Sequence, residues 1–492
     1  MQPECSPQTS IQDISILMAQ HPTVVVRSDT RRIGIVTARD VAAALHFGQG
    51  HMPCAVIART VPRTSPSAHA LFVDWATLHA SLAPALVTFL QQLADICNTQ
   101  GAQLCLVGGV VRAVCRHEEL TDLDVCVVGP FDAVIDAIVT ATGATVLQRS
   151  PFATATLTLP AALQATVGMA AYDIVGARHE TYASIGVLPT VTPVDDIRTD
   201  LARRDLTVNA MAIVLQAHGA LTVVDPYGGW GDLQARRARL VHPLSFFEDP
   251  TRLVRLARIA ARLELQIDAH LRGLVRWAVA ADVCTTVSRF RWLTELQRTL
   301  AEADPAKPLL LLQRWGVLAA VLPGARLVRQ DVALLRDISP DLRIVALLWR
   351  MPTAALQAVL TTWSELPVGL RDLSALRALR PRWRRWLTQR PSLAIRAFAA
   401  FDGAVLAASA ILEPDLNALL VRNARAQAEG QLCIRGADLV AAGMPPGPAI
   451  GRALEALQTY LWDAHFLGMP ACTGAPAQIA YALQAAVDGV VS

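Results

Sequence analysis

Lysine is almost missing from this chain: of 44 basic residues only Lys307 is lysine, and the others are arginine. The 41 acidic residues leave a net charge of +3, so there is no global basic field, and any contact with nucleic acid must come from local patches. The nine cysteines include no Cys-x-x-Cys pair, which argues against zinc and against a disulfide framework. No uninterrupted apolar run reaches the roughly 18–20 residues that cross a bilayer. Residues 1–20 show no basic segment followed by an apolar run, so no secretion signal is read there. A reducing cytoplasm is the expected compartment, with no membrane partner. At 492 residues the chain exceeds one ordinary core, and three or four domains are expected.

What is present is concentrated between Leu104 and Val128, which reads LCLVGGVVRAVCRHEELTDLDVCVV. Apolar runs at both ends predict strand, glycine turn, short helix and second strand. Asp122 and Asp124 are two apart, so they share one strand face and converge. Converging carboxylates repel unless a cation stands between them, and hard oxygen ligands favour Mg²⁺. Taken alone, such a pair also occurs at solvated strand ends. Gly108 and Gly109 let the backbone approach a phosphate, and Arg112 adds a charge-assisted contact. The Gly-Lys-Ser/Thr ending of a Walker loop is missing.

Three later segments extend the pattern. LARRDLTVNAMA (201–212) places Asp205 and Asn209 four apart after Arg203-Arg204, one face of a predicted helix. DPYGGWGDL (225–233) predicts a glycine hinge, with Asp225 and Asp232 structural. Glu248-Asp249-Pro250-Thr251-Arg252 puts Asp249 and Arg252 three apart at a helix start, with Pro250 suited to the first turn. Arginine only donates and an ionised aspartate only accepts, an order that matches the base edges of cytosine and adenine. Uracil and guanine present the reverse, and each mismatch costs roughly 1–3 kcal/mol. The bland alternative is an intrahelical ion pair.

This ordered set resembles the class II tRNA nucleotidyltransferase (CCA-adding enzyme) and poly(A) polymerase family, in detail from about Ala80 to Asp268 and loosely to the C-terminus. The resemblance implies an α+β chain: a pol-β-like head with a mixed sheet and helices, then an all-helical neck, body and tail. It implies attack of an RNA 3′-hydroxyl on the α-phosphate of ATP or CTP, with two Mg²⁺ ions and tRNA as partner. Asp122 and Asp124 become metal ligands, and Asp173 the third catalytic carboxylate, against the alternative that Asp173 only pairs with Arg178. Gly108, Gly109, Arg112, Arg204, Asp205 and Asn209 become nucleotide contacts, and Glu248, Asp249 and Arg252 a protein template. Three positions depart from the family pattern: Ala113 where aspartate is common, and His117 and Ala153 where glycine is common. Completion or repair of the tRNA 3′-CCA end is expected, with A-only, CC-only or poly(A) addition as alternatives. A non-catalytic RNA-binding or nucleotide-sensing protein is the reading from another class. No His-Asp dipeptide and no second hydrolase motif occur, so no nuclease or phosphatase activity is expected.

The remaining sequence frames this core. Residues 1–66 contain RRIGIVTARDVAAAL, which predicts a strand at 33–36 and a helix at 39–45. This small α/β stretch resembles half of a CBS motif, in which Thr37 and Asp40 would hold a ribose; pairing across a homodimer would supply the other half. The alternative is that Asp40 caps a helix. The head is expected over 80–232, the neck over 233–300, the body over 301–430 and a tRNA-contacting tail over 431–492. The densest basic stretch, RDLSALRALRPRWRRWLTQR (371–390), offers Arg382, Arg384 and Arg385 to RNA, with Trp383 and Trp386 to stack on bases or anchor a helix.

Overall fold

The structure is a computed structural model that describes residues 3–28, 31–59, 73–118, 120, 123–216, 221–470 and 472–487. It divides into two compact units, Met1–Thr299 with Lys307–Val321, and Leu300–Ala306 with Leu322–Ser492. Among the described residues no single helix is long and apolar enough to cross a membrane.

The first unit opens with a three-stranded sheet of β1 (Glu4–Cys5), β2 (Thr23–Ser28) and β3 (Arg31–Thr37), flanked by helices Ile11–Met18 and Ala38–His46. The expected strand and helix fall in β3 and the helix that follows it. Thr37 caps that helix by accepting from the Asp40 amide. Its hydroxyl donates to Asp40 Oδ2 (2.6 Å), and Arg59 grips both Asp40 oxygens at 2.8 and 2.6 Å. Asp40 is 2% exposed, so its carboxylate serves the fold and is not presented to a ribose.

The head is built on a seven-stranded mixed sheet in the order β12-β11-β4-β5-β8-β7-β6. Its strands are β4 (Gln103–Val107), β5 (Asp124–Val128), β6 (Thr145–Ser150), β7 (Thr154–Thr158), β8 (Ala171–Gly176), β11 (Ala212–Leu215) and β12 (Thr222–Val224). A separate hairpin pairs β9 (Arg178–Thr181) with β10 (Thr190–Pro193). Only β5 and β8 run parallel; the other neighbours are antiparallel. The central strands are continuous apolar runs because both faces are covered. Cys105, Val107, Cys126 and Val128 pack with Ile197, Leu201 and Ala212 on one side. The helix Pro84–Thr99, whose apolar residues Leu86, Phe89, Leu90 and Leu93 recur at helical spacing, packs against β4 and buries them.

Beyond β12 the described residues form only helices and their connections, the helical remainder that the resemblance implies. Gly229 begins a short helix there, and a Cβ on it would stand 2.1 Å from Thr207 O. This glycine therefore serves close packing rather than the expected hinge. Asp225 accepts from the Gly229 and Trp230 amides, and Asp232 from Thr207 and Arg239, which makes both structural as expected.

In the second unit Trp383 is 1% exposed and stacks on Trp349 at 6.3 Å, while Trp386 packs edge-on against Phe398. The indoles anchor their helix, which removes base stacking from the two roles considered for them. Arg382, Arg384 and Arg385 remain exposed on the other face. The last helices, Gly436–Ala441, Pro448–Leu467 and Ala475–Val487, share a core of Leu439, Leu457 and Ala482.

Candidate active site

β4 ends at Val107, and the chain turns through Gly108 with φ 69° and ψ −121°, a conformation that requires glycine. A Cβ at Gly108 would stand 3.3 Å from Asp124 Oδ2 and 3.6 Å from Arg204 Nη1. The turn therefore lies against a carboxylate and a guanidinium. Asp124 opens β5 with its side chain exposed, and its register partner on β8 is Asp173, also exposed. A parallel register pair points to one face, so the sheet brings two carboxylates together. Asp173 accepts from Thr156 Oγ1 at 2.7 Å. Arg178, its structural alternative, instead donates to Glu180 Oε1 and the Phe152 carbonyl. Asp122 lies outside the described residues, and among those described no third acidic, histidine or cysteine group joins the pair.

Behind the turn is a buried polar network. Arg112, on the helix Gly109–Arg116, donates to Asn209 Oδ1. Burial pushes its pKa down to about 10, countered in part by Asp205, so it stays charged at neutral pH. Asn209 Nδ2 and the Leu206 amide both donate to Asp205 Oδ1, at 3.0 and 2.8 Å, and Arg255 Nε donates to Oδ2 at 2.8 Å. Burial alone would raise the Asp205 pKa, but Arg255 and those two bonds hold it well below the carboxylate range.

The expected helix through Asp205 and Asn209 is not formed. The helix Ile197–Ala202 ends earlier, and the two side chains meet across a 3₁₀ turn at Thr207–Asn209. The cause is local: Asp205 bonds the next amide, which competes with helical pairing, and Leu206 is extended and bridges to Leu240. Asp205 and Asn209 are 5% and 6% exposed, so they orient Arg255 and Arg112 from below. Arg203 and Arg204 both fold back on Asp200, which is fully buried. Asp200 was not foreseen. The available signal was an aspartate three and four residues before a double arginine, the helical ion-pair spacing.

The template segment breaks in the middle. The helix Ser245–Glu248 stops, Asp249 is extended (φ −139°), and a new helix runs Arg252–Arg262. Pro250 therefore precedes the second helix rather than sitting in its first turn. Arg252 is buried, with Nη1 donating to Ser245 Oγ (2.8 Å) and Glu248 Oε2 (3.2 Å), and Nη2 to Arg203 O (2.8 Å) and more weakly to Tyr182 Oη (3.4 Å). Burial alone would make it easier to deprotonate; Tyr182, Glu248 and Asp249 reverse that and keep it charged. Burial would likewise raise Glu248, yet His242 at 2.9 Å and Arg252 hold it at about 2. The Asp249–Arg252 ion pair considered as the bland reading is replaced by Glu248–Arg252 and Asp249–Arg291. Asp249 Oδ1 takes Thr251 N, Thr251 Oγ1 and Arg291 Nη2, whereas Oδ2 accepts no hydrogen bond among the described residues. Arg291, 42 residues away, is a second residue that sequence spacing did not reveal.

Two of the departures from the family pattern acquire a physical meaning. His117 and Ala153 have φ of 53° and 50°, the left-handed region where glycine is favoured. The backbone conformation is thus retained with a Cβ present.

Residues 104–239 match the family of the poly(A) polymerase head domain. The chain is 33% identical to the CC-adding tRNA nucleotidyltransferase of Deinococcus radiodurans, over 74% of its own length and 87% of that protein. The chain belongs to the class II tRNA nucleotidyltransferase family. This nucleotidyltransferase is also 29% identical to the A-adding tRNA nucleotidyltransferase of Geobacter sulfurreducens, over 68% of the chain but 36% of that relative. Its fold is that of a solved CCA-adding enzyme (apo form II), with a TM-score of 0.69 at 22% identity over 84% of this chain and 99% of that one. The α+β architecture expected from the resemblance is the one observed.

Proposed function

We propose that this nucleotidyltransferase completes or repairs the 3′-CCA end of tRNA from CTP and ATP without a nucleic-acid template, releasing pyrophosphate. The observation that carries this reading is the Asp124–Asp173 register pair beside a glycine turn, with buried Arg252 next to the half-engaged carboxylate of Asp249. Relatives named CC-adding and A-adding match this chain in sequence, and the 33% likeness to the first makes CC-only addition the second reading.

In the proposed reaction the Gly108–Gly109 turn admits the triphosphate, whose oxygens take the amide hydrogens. Arg112 and Arg204 supply positive charge beneath it and are held in place by Asn209 and Asp200. Asp124 and Asp173, with Asp122, are an oxygen-only donor set suited to Mg²⁺, and the missing Cβ at Gly108 leaves room beside it. When bound, such ions neutralise charge at the α-phosphate and lower the pKa of the attacking hydroxyl. Asp249 Oδ2 accepts from the amino group shared by cytosine and adenine. Arg252 Nη2 donates to their ring nitrogen in place of its long contact to Tyr182.

The five segments read from the sequence assign nucleotide chemistry to the head, base choice to the neck, and tRNA to body and tail. Arg382, Arg384 and Arg385 are the proposed RNA contacts. Replacing all three by alanine should weaken tRNA binding and reduce the slope of log Kd against log salt by about 2. An unchanged slope would place the RNA contact elsewhere. Self-association through the N-terminal segment is proposed as the route to a homodimer, and a solution mass of one chain would reject it.

The test of the whole reading is incorporation with Mg²⁺ on transcripts ending at the discriminator base, at C and at CC. Stepwise addition of C, C and A followed by a stop supports it. Stopping after CC selects the second reading, and no incorporation with tRNA still bound rejects both.

A further inference from the structure

We propose that the N-terminal segment, residues 3–28 and 31–59, is a clamp on the base-selecting segment, with His46, Gln49 and Arg59 as its positioning residues. The inference rests on the base-selecting reading of Glu248–Arg252 given above. Each of the three side chains reaches across to a later segment: His46 lands one residue from Arg252, and Arg59 and Gln49 land two residues from Glu248.

His46 Nε2 donates to the Tyr182 carbonyl at 2.9 Å, and the hydroxyl of that tyrosine is the weak partner of Arg252 Nη2. Arg59 Nη1 donates to the Val241 carbonyl at 3.1 Å. The next residue, His242, lies 2.9 Å from Glu248 Oε2, which in turn accepts from Arg252 Nη1. Gln49 Oε1 accepts from Trp277 Nε1 at 3.0 Å. The Trp277 ring packs on Phe247 at 4.5 Å, and Phe47 adds a second ring to Phe247 at 6.2 Å. Phe247 immediately precedes Glu248.

This arrangement also explains the motif left over from the sequence. Asp40 takes Arg59 through both oxygens, and Thr37 fixes Asp40. A two-bond grip holds a guanidinium in one plane, which aims its remaining nitrogen at Val241. Fixed donors and acceptors discriminate base edges only while held within about 0.5 Å of their productive places. Support from outside the segment is therefore a determinant of selectivity, although none of the three residues reaches the nucleotide.

The test is the full chain carrying His46→Ala and Gln49→Ala, assayed on a CC-ending tRNA transcript. Incorporation of UTP and GTP relative to ATP is expected to rise roughly fivefold, the equivalent of one lost hydrogen bond. KM for ATP should rise while kcat stays within about twofold, the pattern of lost positioning in the bound state rather than lost chemistry. His46→Gln, whose amide still donates to the Tyr182 carbonyl, should restore part of the selectivity. Independently of turnover, hydrogen exchange in 178–186 and 244–252 should accelerate in the double variant. Unchanged exchange overturns the clamp. Faster exchange with unchanged base choice overturns its part in selection. A parent protein that incorporates nothing rejects the proposed function, and exchange still decides the clamp.

Discussion

Asp124→Ala is expected to lower nucleotide incorporation by about 10³-fold or more while tRNA still binds. The carboxylate is exposed on β5, registers with Asp173, and lies against a glycine turn that would place phosphate oxygens beside it. A ligand of a catalytic cation contributes several kcal/mol to charge stabilisation, and each 1.4 kcal/mol is about tenfold in rate. Because the side chain is exposed, the variant should still fold, and its denaturation curve separates loss of activity from loss of fold. Single-turnover incorporation and filter binding on the same preparation check both halves. Residual turnover by the Asp122→Ala/Asp124→Ala double variant would sink the assignment.

Arg252→Ala should do two things at once. It removes the fixed donor of the selecting pair, so UTP and GTP should enter beside CTP and ATP. It also strands Ser245 Oγ and the Arg203 carbonyl in a buried place and leaves Glu248 Oε2 with His242 as its remaining charged partner. Breaking a buried charged network by removing one partner costs roughly 3–5 kcal/mol, so the denaturation midpoint should fall markedly. Arg252→Lys should recover little of either, since an ammonium lacks the planar fork that serves four acceptors here. Competition between labelled nucleotides, with a denaturation curve of the same variant, measures the outcome. Unchanged base choice in a folded Arg252→Ala protein would refute the template role.

Much of the head was legible in one dimension. The strand, glycine turn, helix and strand between Gln103 and Val128 follow from apolar runs interrupted by Gly108 and Gly109, and the three- and four-residue spacing of Leu86, Phe89, Leu90 and Leu93 matches the helix Pro84–Thr99. These are short-range signals: side-chain spacing and turn chemistry within a dozen residues. The same reasoning failed at Asp205, because a side chain bonding its own next amide leaves no mark on hydrophobic spacing. It could not choose between roles for Trp383, since burial depends on which helix covers it.

By itself, the sequence determined a sheet-based region entered through strand, glycine turn, helix and strand, and a helical remainder. Tertiary structure alone decided which partners hold the polar groups of the candidate site. Arg252 is anchored by residues 49 and 70 positions away, and the N-terminal segment meets Tyr182, Val241 and Trp277 through pairs separated by 136, 182 and 228. Contacts at such separations have no period in the chain. They exist only once the sheet and helices have packed and carried distant polar groups within hydrogen-bond reach.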